Sequence, residues 1–217
     1  MELQNQANKH NAYGPYERYF KRLLDCLLAT SALIILSPII CVTAILVRIK
    51  LGSPVLFKQN RPGKNEKIFR LRKFRSMTNA KDVDGNLLPD DVRLTKFGRI
   101  LRSTSLDELP ELINIIKGDM AIVGPRPLLV EYLPYYTQEE HHRHDVRPGL
   151  TGLAQIHGRN AGTWEDKFHY DLAYIRHISF RSDLDIIFKT VKKVLKREDI
   201  LVGKEVLAGR LDDIRKI

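Results

Sequence analysis

The chain has 217 residues, a length that suits one domain or one domain with appendages, and 43% of them are hydrophobic, which is enough for a core. Its formal net charge of +10 indicates an anionic partner. The charge alone does not distinguish among nucleic acid, an anionic membrane surface and a phosphorylated substrate. The 2 cysteines, Cys26 and Cys41, lie in the most apolar stretch and form no disulfide framework, so a reducing compartment is the simpler expectation.

A long apolar segment follows a polar N-terminus. Asp25 is the only charged residue between positions 23 and 47. A helix needs about 20 apolar residues to cross a bilayer core, so this segment is long enough to span one. The alternative is a buried helix of a soluble protein.

Two features of the segment favour a re-entrant helix-break-helix. Ser37-Pro38 lies near its middle, where proline removes a backbone hydrogen bond and breaks the helix. Basic residues flank both ends: Arg18, Lys21, Arg22, Arg48, Lys50, Lys58 and Arg61. Positive residues favour the cytoplasmic side, and a kinked span places only one flank there, whereas re-entry places both. We expect the carbonyl near Ile34 to be satisfied by the Ser37 hydroxyl or a neighbouring helix.

Residues 55–59 and 67–72 predict two short strands, joined through residues 60–64. The second strand runs into a basic cluster of Arg70, Arg72, Lys73 and Arg75. This cluster is either a solvated or lipid-headgroup-facing edge, or a place where Lys73 contacts a substrate phosphate.

Two later segments have the pattern of amphipathic helices with a cationic face, which is typical of helices that lie on a membrane. Residues 91–102 place Leu94, Phe97 and Leu101 among basic residues. Residues 183–197 place Leu184, Ile187, Val191, Val194 and Leu195 on one side and four lysines, Lys189, Lys192, Lys193 and Lys196, on the other.

Between these helices, Asp107 and Glu108 form an adjacent acidic pair in a basic chain. Residues 106–117 predict a helix that ends at Gly118. Ser105-x-x-Glu108 also has the form of a capping box, so the acids have a purely structural interpretation. The positive end of the helix favours an ionised Asp107, which a nucleophile requires.

Three further motifs follow the acidic pair. Pro125 and Pro127 hold Arg126 in a stiff backbone, either as a structural turn or to bind a planar group. Residues 141–144 contain three histidines, but neither cysteines nor an HExxH frame accompanies them, so we do not predict a metal site there. Gly158-Arg159-Asn160 is a tight turn that carries a cation.

Taken in order, these motifs resemble the bacterial sugar transferases, the small single-domain phosphoglycosyl transferases that act on polyprenol phosphate. The resemblance covers residues 19–196. It rests on the following motifs: KRLLD (21–25), Ser37-Pro38, QNRPG (59–63), KFRSM (73–77), RSTSLDELP (102–110), KGDM (117–120), GPRP (124–127), RPG (147–149) and GRN (158–160). Each motif alone is weak, whereas the ordered set is highly specific.

The resemblance implies a UDP-sugar donor, an undecaprenyl-phosphate-type acceptor, Mg²⁺ and release of UMP. It implies that Asp107 is the nucleophile and Mg²⁺ contact, and that Glu108 is its dyad partner. It further implies that Arg102 and Arg159 bind phosphate and that Pro125, Arg126 and Pro127 recognise the nucleotide. We include Lys73 among the substrate-binding residues.

The predicted fold class is α+β, mainly α, with a small β-hairpin around a cytosolic active site. The predicted segments are a polar N-terminus (1–18), a re-entrant pair (19–50), a catalytic domain (51–200) and a tail (201–217). We expect the bacterial inner membrane, with the catalytic domain facing the cytoplasm, and no nucleic-acid partner; a homo-oligomer is compatible with the sequence. The alternative function is a membrane-anchored basic protein that binds nucleic acid or acts as a scaffold.

Overall fold

The computed structural model describes residue 10 and residues 12–158, 163–196 and 209–215. The chain is mainly helical with small sheets, as the predicted α+β class requires. The helices of the first half are α1 (Lys21–Ile35), which follows a π-helical turn (Tyr16–Phe20), α2 (Ser37–Leu51), α3 (Asp90–Arg93), α4 (Lys96–Ser103) and α5 (Glu111–Lys117). The later helices are α6 (Gln138–His141), α7 (Leu153–Gly158), α8 (Trp164–Arg176), α9 (Phe180–Lys196) and α10 (Leu211–Ile214).

The strands form two pairs. β1 (Leu56–Pro62) and β2 (Ile68–Phe74) are antiparallel, with Leu56 opposite Phe74. The predicted hairpin is therefore confirmed, although β1 continues through residues assigned to the turn. β3 (Ala121–Val123) and β4 (Gly149–Thr151) form a short parallel pair.

α1 and α2 form the predicted helix-break-helix. The Ser37 hydroxyl donates to the carbonyl of Ile34 at 2.8 Å, which confirms the predicted repair of the break. In the described part of the chain, no single helix has the length and composition to cross a membrane. The segments Tyr16–Ile35 and Ser37–Leu51 reach that threshold only together, with a bend of 64° between them.

Most large apolar side chains of this helix pair are exposed. The exposed residues are Leu23, Leu27, Leu28, Ile34, Ile35, Ile39, Val42, Ile45, Leu46 and Ile49. Ala29 of α1 packs with Leu112 and Ile115 of α5, and Val47 of α2 packs with Phe74 and Leu101. The pair thus contacts the rest of the chain along narrow strips, unlike a helix buried in a soluble core.

Polar contacts fix α1 against the elements that carry the acidic pair. Arg22 donates to the carbonyls of Ile115 and Ile116, at 2.5 and 2.8 Å, at the C-terminal end of α5. A cation at this place also complements the helix dipole. Lys21 forms a buried ion pair with Asp183 of α9. α1, α5 and α9 are consequently held in one arrangement.

The predicted helix over residues 91–102 is interrupted. α3 ends at Arg93, Leu94 pairs with Met77 in an isolated β-bridge, and the Thr95 side chain accepts from the Gly98 N–H to cap α4. Leu94 and Leu101 are buried within the protein. The apolar side of this segment therefore serves the core, whereas Ile100 is exposed.

α9 has the predicted two-sided character. Its exposed apolar residues are Leu184, Phe188, Val191 and Leu195, whereas Asp183 and Ile186 are buried. The described part of the predicted C-terminal tail forms α10, whose Leu211 is fully buried against Tyr132, Trp164 and Phe168. The predicted domain boundaries stay predictions.

Asn114 joins the hairpin to α5, and its substitution tests this connection. Its side chain is fully buried, accepts from the Arg72 N–H at 3.1 Å and donates to the Arg70 carbonyl at 2.8 Å. We predict that Asn114→Ala lowers the free energy of unfolding by about 3 kcal/mol, because two backbone groups lose their partner. Chemical denaturation followed by Trp164 fluorescence measures this. The exposed Asn86→Ala is the control, expected within about 0.5 kcal/mol of wild type; an equally small loss for Asn114→Ala would contradict the prediction.

Candidate active site

Side chains from four segments meet at the acidic pair. β2 contributes Lys73, the turn Leu106–Glu108 contributes Asp107 and Glu108, and α5 contributes Glu111. Arg126 follows β3 in the loop that connects this strand to the next turn. The structure thus brings together residues that lie more than 50 positions apart in the sequence.

The acidic pair lies in a 3-10 turn and not in a continuous helix. Ser105, just before it, has φ 54° and ψ 16°, a left-handed conformation that is costly for a residue with a side chain. The Ser105 side chain does not cap the turn, so the capping-box interpretation is wrong. Pro110 is the N-cap residue of α5, and Gly118 ends this helix with φ 92°, as predicted.

Glu108 is held by two cations. Its Oε1 accepts from Lys73 Nζ at 2.7 Å and from Arg126 Nη2 at 2.8 Å. Burial alone would raise the pKa of Glu108, but the charges and hydrogen bonds of Lys73 and Arg126 hold it well below its usual range. Glu108 is therefore an anion that fixes the positions of two cationic side chains.

Asp107 is in a different environment. Asp107 is 7% exposed. Among the described residues, no ion pair or side-chain hydrogen bond involves its carboxylate. Burial, and then the charge of Glu108, raise the pKa of Asp107 to about 6, while Lys73, Arg102 and Arg126 oppose this rise. The predicted effect of the helix start on Asp107 is wrong, because burial and the adjacent anion raise its pKa and outweigh any helix-end effect. The carboxylate remains mainly ionised above the raised pKa.

Glu111 is a member of the site that sequence reasoning missed. It is 3% exposed, and its Oε1 lies 3.1 Å from Lys73 Nζ. Burial raises the pKa of Glu111 to about 7, with a further contribution from Glu108, while Lys73 opposes it. Its position three residues after Glu108 was the available signal, because residues three apart share a helix face.

The other predicted residues lie as follows. Arg102, at the end of α4, donates through Nε to Ser76 Oγ at 2.9 Å, and its charge acts on Asp107. The backbone carbonyl of Arg126 accepts from Arg143, whose buried guanidinium also pairs with Asp171 at 2.7 Å. Arg159 lies outside the described residues.

A cavity of about 260 Å³ opens beside these groups. Its lining includes three cations, Arg61, Lys73 and Arg126, together with Glu111. Its apolar and aromatic lining residues are Leu71, Pro127, Leu128, Leu129, Tyr132 and Trp164. In the sequence, Arg61 is recognisable only as a basic residue that flanks the apolar segment. Its position in this cavity, and those of Tyr132 and Trp164, are seen only in the folded structure. Such a lining suits an anionic ligand that also has a planar apolar group.

The donor set is also compatible with Mg²⁺. Mg²⁺ uses oxygen ligands and binds one or two carboxylates together with substrate phosphates, without a complete protein cage. Asp107 offers carboxylate oxygens that no described side chain holds, beside an adjacent anion. A cation there would compensate the buried negative charge that raises the pKa of Asp107.

Comparison with known proteins identifies the family. The model of the family described as "Bacterial sugar transferase" matches residues 16–197. The chain belongs to the bacterial sugar transferase family. The predicted resemblance is thus confirmed, and so is the prediction that the chain is an enzyme of the transferase class.

Three relatives show how similar this chain is to other proteins. The chain is 54% identical over 190 residues to "Uncharacterized sugar transferase EpsL" of Bacillus subtilis, with 88% of this chain and 94% of the relative covered. It is 40% identical over 195 residues to "Exopolysaccharide production protein PSS" of Rhizobium leguminosarum, covering 82% and 96%. It is 45% identical over 184 residues to "UDP-glucose:undecaprenyl-phosphate glucose-1-phosphate transferase" of Klebsiella pneumoniae, covering 80% of this chain but 40% of that longer protein.

The raised pKa values of Asp107 and Glu111 predict how stability changes with pH. Both values lie above those of unfolded chains, which are about 3.9 for Asp and 4.3 for Glu. At these two carboxyls the folded state therefore binds more protons between about pH 4 and pH 7, and their contribution to the free energy of unfolding falls as pH rises through this window. Glutamine does not titrate, so Glu111→Gln removes one of these two contributions. We predict that the free energy of unfolding of this variant is higher at pH 7.5, relative to pH 4.5, than it is in the wild type. Chemical denaturation at pH 4.5 and pH 7.5 measures it, with the exposed Glu131→Gln as the control.

The two variants must differ for this interpretation to hold. Glu131→Gln is expected to keep the wild-type difference between the two pH values. A Glu111→Gln variant with that same difference would show that Glu111 is not the buried group that titrates.

Proposed function

We propose that this chain transfers a sugar-1-phosphate from a UDP-sugar to a polyprenol phosphate and releases UMP. The carrying observation is the buried Asp107 carboxylate, unpaired among the described residues and adjacent to a Glu108 that holds Lys73 and Arg126. The Klebsiella pneumoniae relative is named for glucose-1-phosphate transfer from UDP-glucose to undecaprenyl phosphate. An Aeromonas hydrophila relative, 37% identical over 190 residues, is named for N-acetylgalactosamine phosphotransfer to undecaprenyl phosphate.

The proposed chemistry has two displacements at one phosphorus. An Asp107 carboxylate oxygen attacks the phosphorus that bears the sugar, and the bond from this phosphorus to the UMP oxygen breaks, with UMP leaving with the electron pair. An oxygen of the polyprenol phosphate then attacks the same phosphorus, and the Asp107 carboxylate leaves. The product is a sugar linked through a diphosphate to the lipid, and the enzyme is regenerated.

The cationic residues make this attack of one anion on another feasible. Lys73, Arg102 and Arg126 all act electrostatically on Asp107, and such groups stabilise negative charge that spreads over a transferring phosphoryl group. Asp107 together with the diphosphate oxygens would hold Mg²⁺, which supplies further charge neutralisation when bound. Arg126 with its flanking prolines, Pro125 and Pro127, and the aromatic side of the cavity would bind the nucleotide. Arg159 is proposed as a second phosphate-binding arginine on the family resemblance.

A lipid substrate requires the site to lie near a membrane. The exposed apolar residues of α1, α2 and α9 provide a surface that a bilayer would cover, and Arg48 and Lys50 at the end of α2 suit anionic headgroups. We place α1 and α2 in the bacterial inner membrane as a re-entrant pair. The active site then lies at the cytoplasmic headgroup level.

Substitution of the proposed nucleophile tests the chemistry. We predict that Asp107→Asn lowers the rate of UMP release from a UDP-sugar by at least about a thousandfold, since only binding and electrostatic contributions remain without a nucleophile. Release of UMP by purified protein with polyprenol phosphate measures it across a panel of UDP-sugars. Asp91→Asn, an exposed carboxylate, is the control and is expected to keep wild-type turnover. Near-normal turnover of Asp107→Asn would refute the assignment.

The topology has a separate test. With the re-entrant pair, epitope tags at residues 1 and 217 are expected to be reachable only from the cytoplasmic side, because the chain enters and leaves the bilayer on one face. Protease or antibody access in intact and permeabilised cells measures this. Detection of both tags in permeabilised cells shows that neither tag is hidden by the folded protein. An N-terminal tag accessible in intact cells would contradict re-entry and favour a span.

A further inference from the structure

A second group of ligand-type side chains lies away from Asp107. Glu66, His141 and His144 each present one ligand atom, and these atoms lie within 4.8 Å of one another. Glu66 Oε1 is 2.6 Å from His141 Nδ1 and 3.4 Å from His144 Nδ1. Among the described residues, this is where three potential metal ligands of the His, Cys, Asp and Glu types converge.

The fold joins two distant segments at this point. Glu66 lies in the turn between β1 and β2, where Asn65 and Glu66 both have positive φ, at 53° and 59°. His141 is the last residue of α6, and His144 ends the 3-10 turn that follows it. Residues three apart in helical turns face the same side, so both imidazoles can approach the carboxylate. Because the third ligand comes from the hairpin, the sequence segment 141–144 alone did not predict a site.

His144 is the observation that points to a ligand. The residue is 6% exposed, and neither ring nitrogen makes a hydrogen bond within the described residues. Buried polar groups are nearly always paired, and an unpaired one has a free-energy cost of about 1–3 kcal/mol. Coordination of a metal ion would give one of these two nitrogens a partner.

We propose that Glu66, His141 and His144 bind a divalent transition-metal ion of the Zn²⁺ class. Two imidazoles and one carboxylate are ligands that suit Zn²⁺, commonly with water at a fourth position. Ligand atoms at about 2.0–2.1 Å from a tetrahedral ion are about 3.3 Å apart. The Glu66–His144 separation fits this value, and the Glu66–His141 pair must open from hydrogen-bonding distance.

This site is chemically distinct from the one at Asp107. Imidazole-rich sites select transition metals, whereas carboxylates and phosphates suit Mg²⁺. The side chains of Glu66 and His141 are 40% and 41% exposed, which gives an ion and its water access from solvent. The competing assignment is a metal-free ion pair between Glu66 and His141.

A bound ion would strengthen the support of the active-site loop. Between the two histidines, Arg143 donates to the backbone carbonyl of Arg126 at 2.8 Å and pairs with Asp171. Coordination would fix the segment that carries Arg143 to the hairpin that carries Lys73. The inferred role is structural, and it does not depend on the proposed phosphotransfer.

Zn²⁺ titration of the purified, tag-free full chain tests the proposal. After chelator treatment, a competition titration against a chromophoric chelator is expected to show one equivalent of bound Zn²⁺. Glu66→Gln and His141→Asn, both at partly exposed positions, are each expected to lower the affinity at least about tenfold. His142→Asn is the matched control, since His142 pairs with Asp145 at 2.8 Å and lies outside the cluster, and it is expected to leave the affinity unchanged.

Substitution of Co²⁺ for Zn²⁺ adds a readout of coordination that is independent of stability. Visible d–d absorption in the wild type and in His142→Asn, lost in Glu66→Gln, would support the site. Absence of a stoichiometric ion, or equal affinity in wild type and Glu66→Gln, would overturn the proposal and leave the metal-free ion pair. Equal weakening by His142→Asn would also overturn it, because binding would then involve other histidines.

Discussion

The Glu108 carboxylate, held between Lys73 and Arg126, joins three segments of the active site. Lys73 comes from β2, Glu108 from the turn before α5, and Arg126 from the loop after β3. Removal of one partner from a buried ion pair costs about 3–5 kcal/mol, because the remaining charge is uncompensated. The same cations that Glu108 holds in place also act on Asp107. Two adjacent acids thus acquire different properties, one as a fixed anion and the other as an unpaired carboxylate.

Polar contacts also connect the apolar helix pair, α1 and α2, to the elements around the active site. Arg22 of α1 binds the C-terminal carbonyls of α5, and Lys21 of the same helix pairs with Asp183 of α9. These contacts join α1, which carries exposed apolar residues, to α5 beside the acidic pair and to α9. In the proposed function, this connection sets the depth of Asp107 relative to the lipid phosphate.

Local features were predictable from the sequence, because they depend on neighbouring residues. Ser37 satisfies the Ile34 carbonyl at the helix break, and Gly118 ends α5 with a positive φ. The errors arise where tertiary contacts override a local pattern. Glu108 pairs with Lys73 and Arg126, and the Ser105 side chain makes no cap. In the segment over residues 91–102, Leu94 pairs with Met77 in a β-bridge, and a new helix begins after Thr95.

Long-range partners could not be predicted from spacing. The third ligand of the histidine cluster lies 75 positions before His141, and Trp164 joins a cavity whose cations come from the first 126 residues. The raised pKa of Asp107 likewise depends on burial, which no local pattern reports. The ordered motifs still identified the family, because a set of motifs in a fixed order is specific even where each motif alone is weak.

The site of the covalent intermediate is the most direct test of the distinction between Asp107 and Glu108. Purified enzyme would be incubated with a UDP-sugar that supports turnover, in the absence of polyprenol phosphate, then quenched, digested and mapped by mass spectrometry. The account predicts a mass increase equal to the sugar phosphate on Asp107, which disappears when the lipid phosphate is added. A modification on Glu108, or no modification in an enzyme that turns over with lipid present, would contradict it.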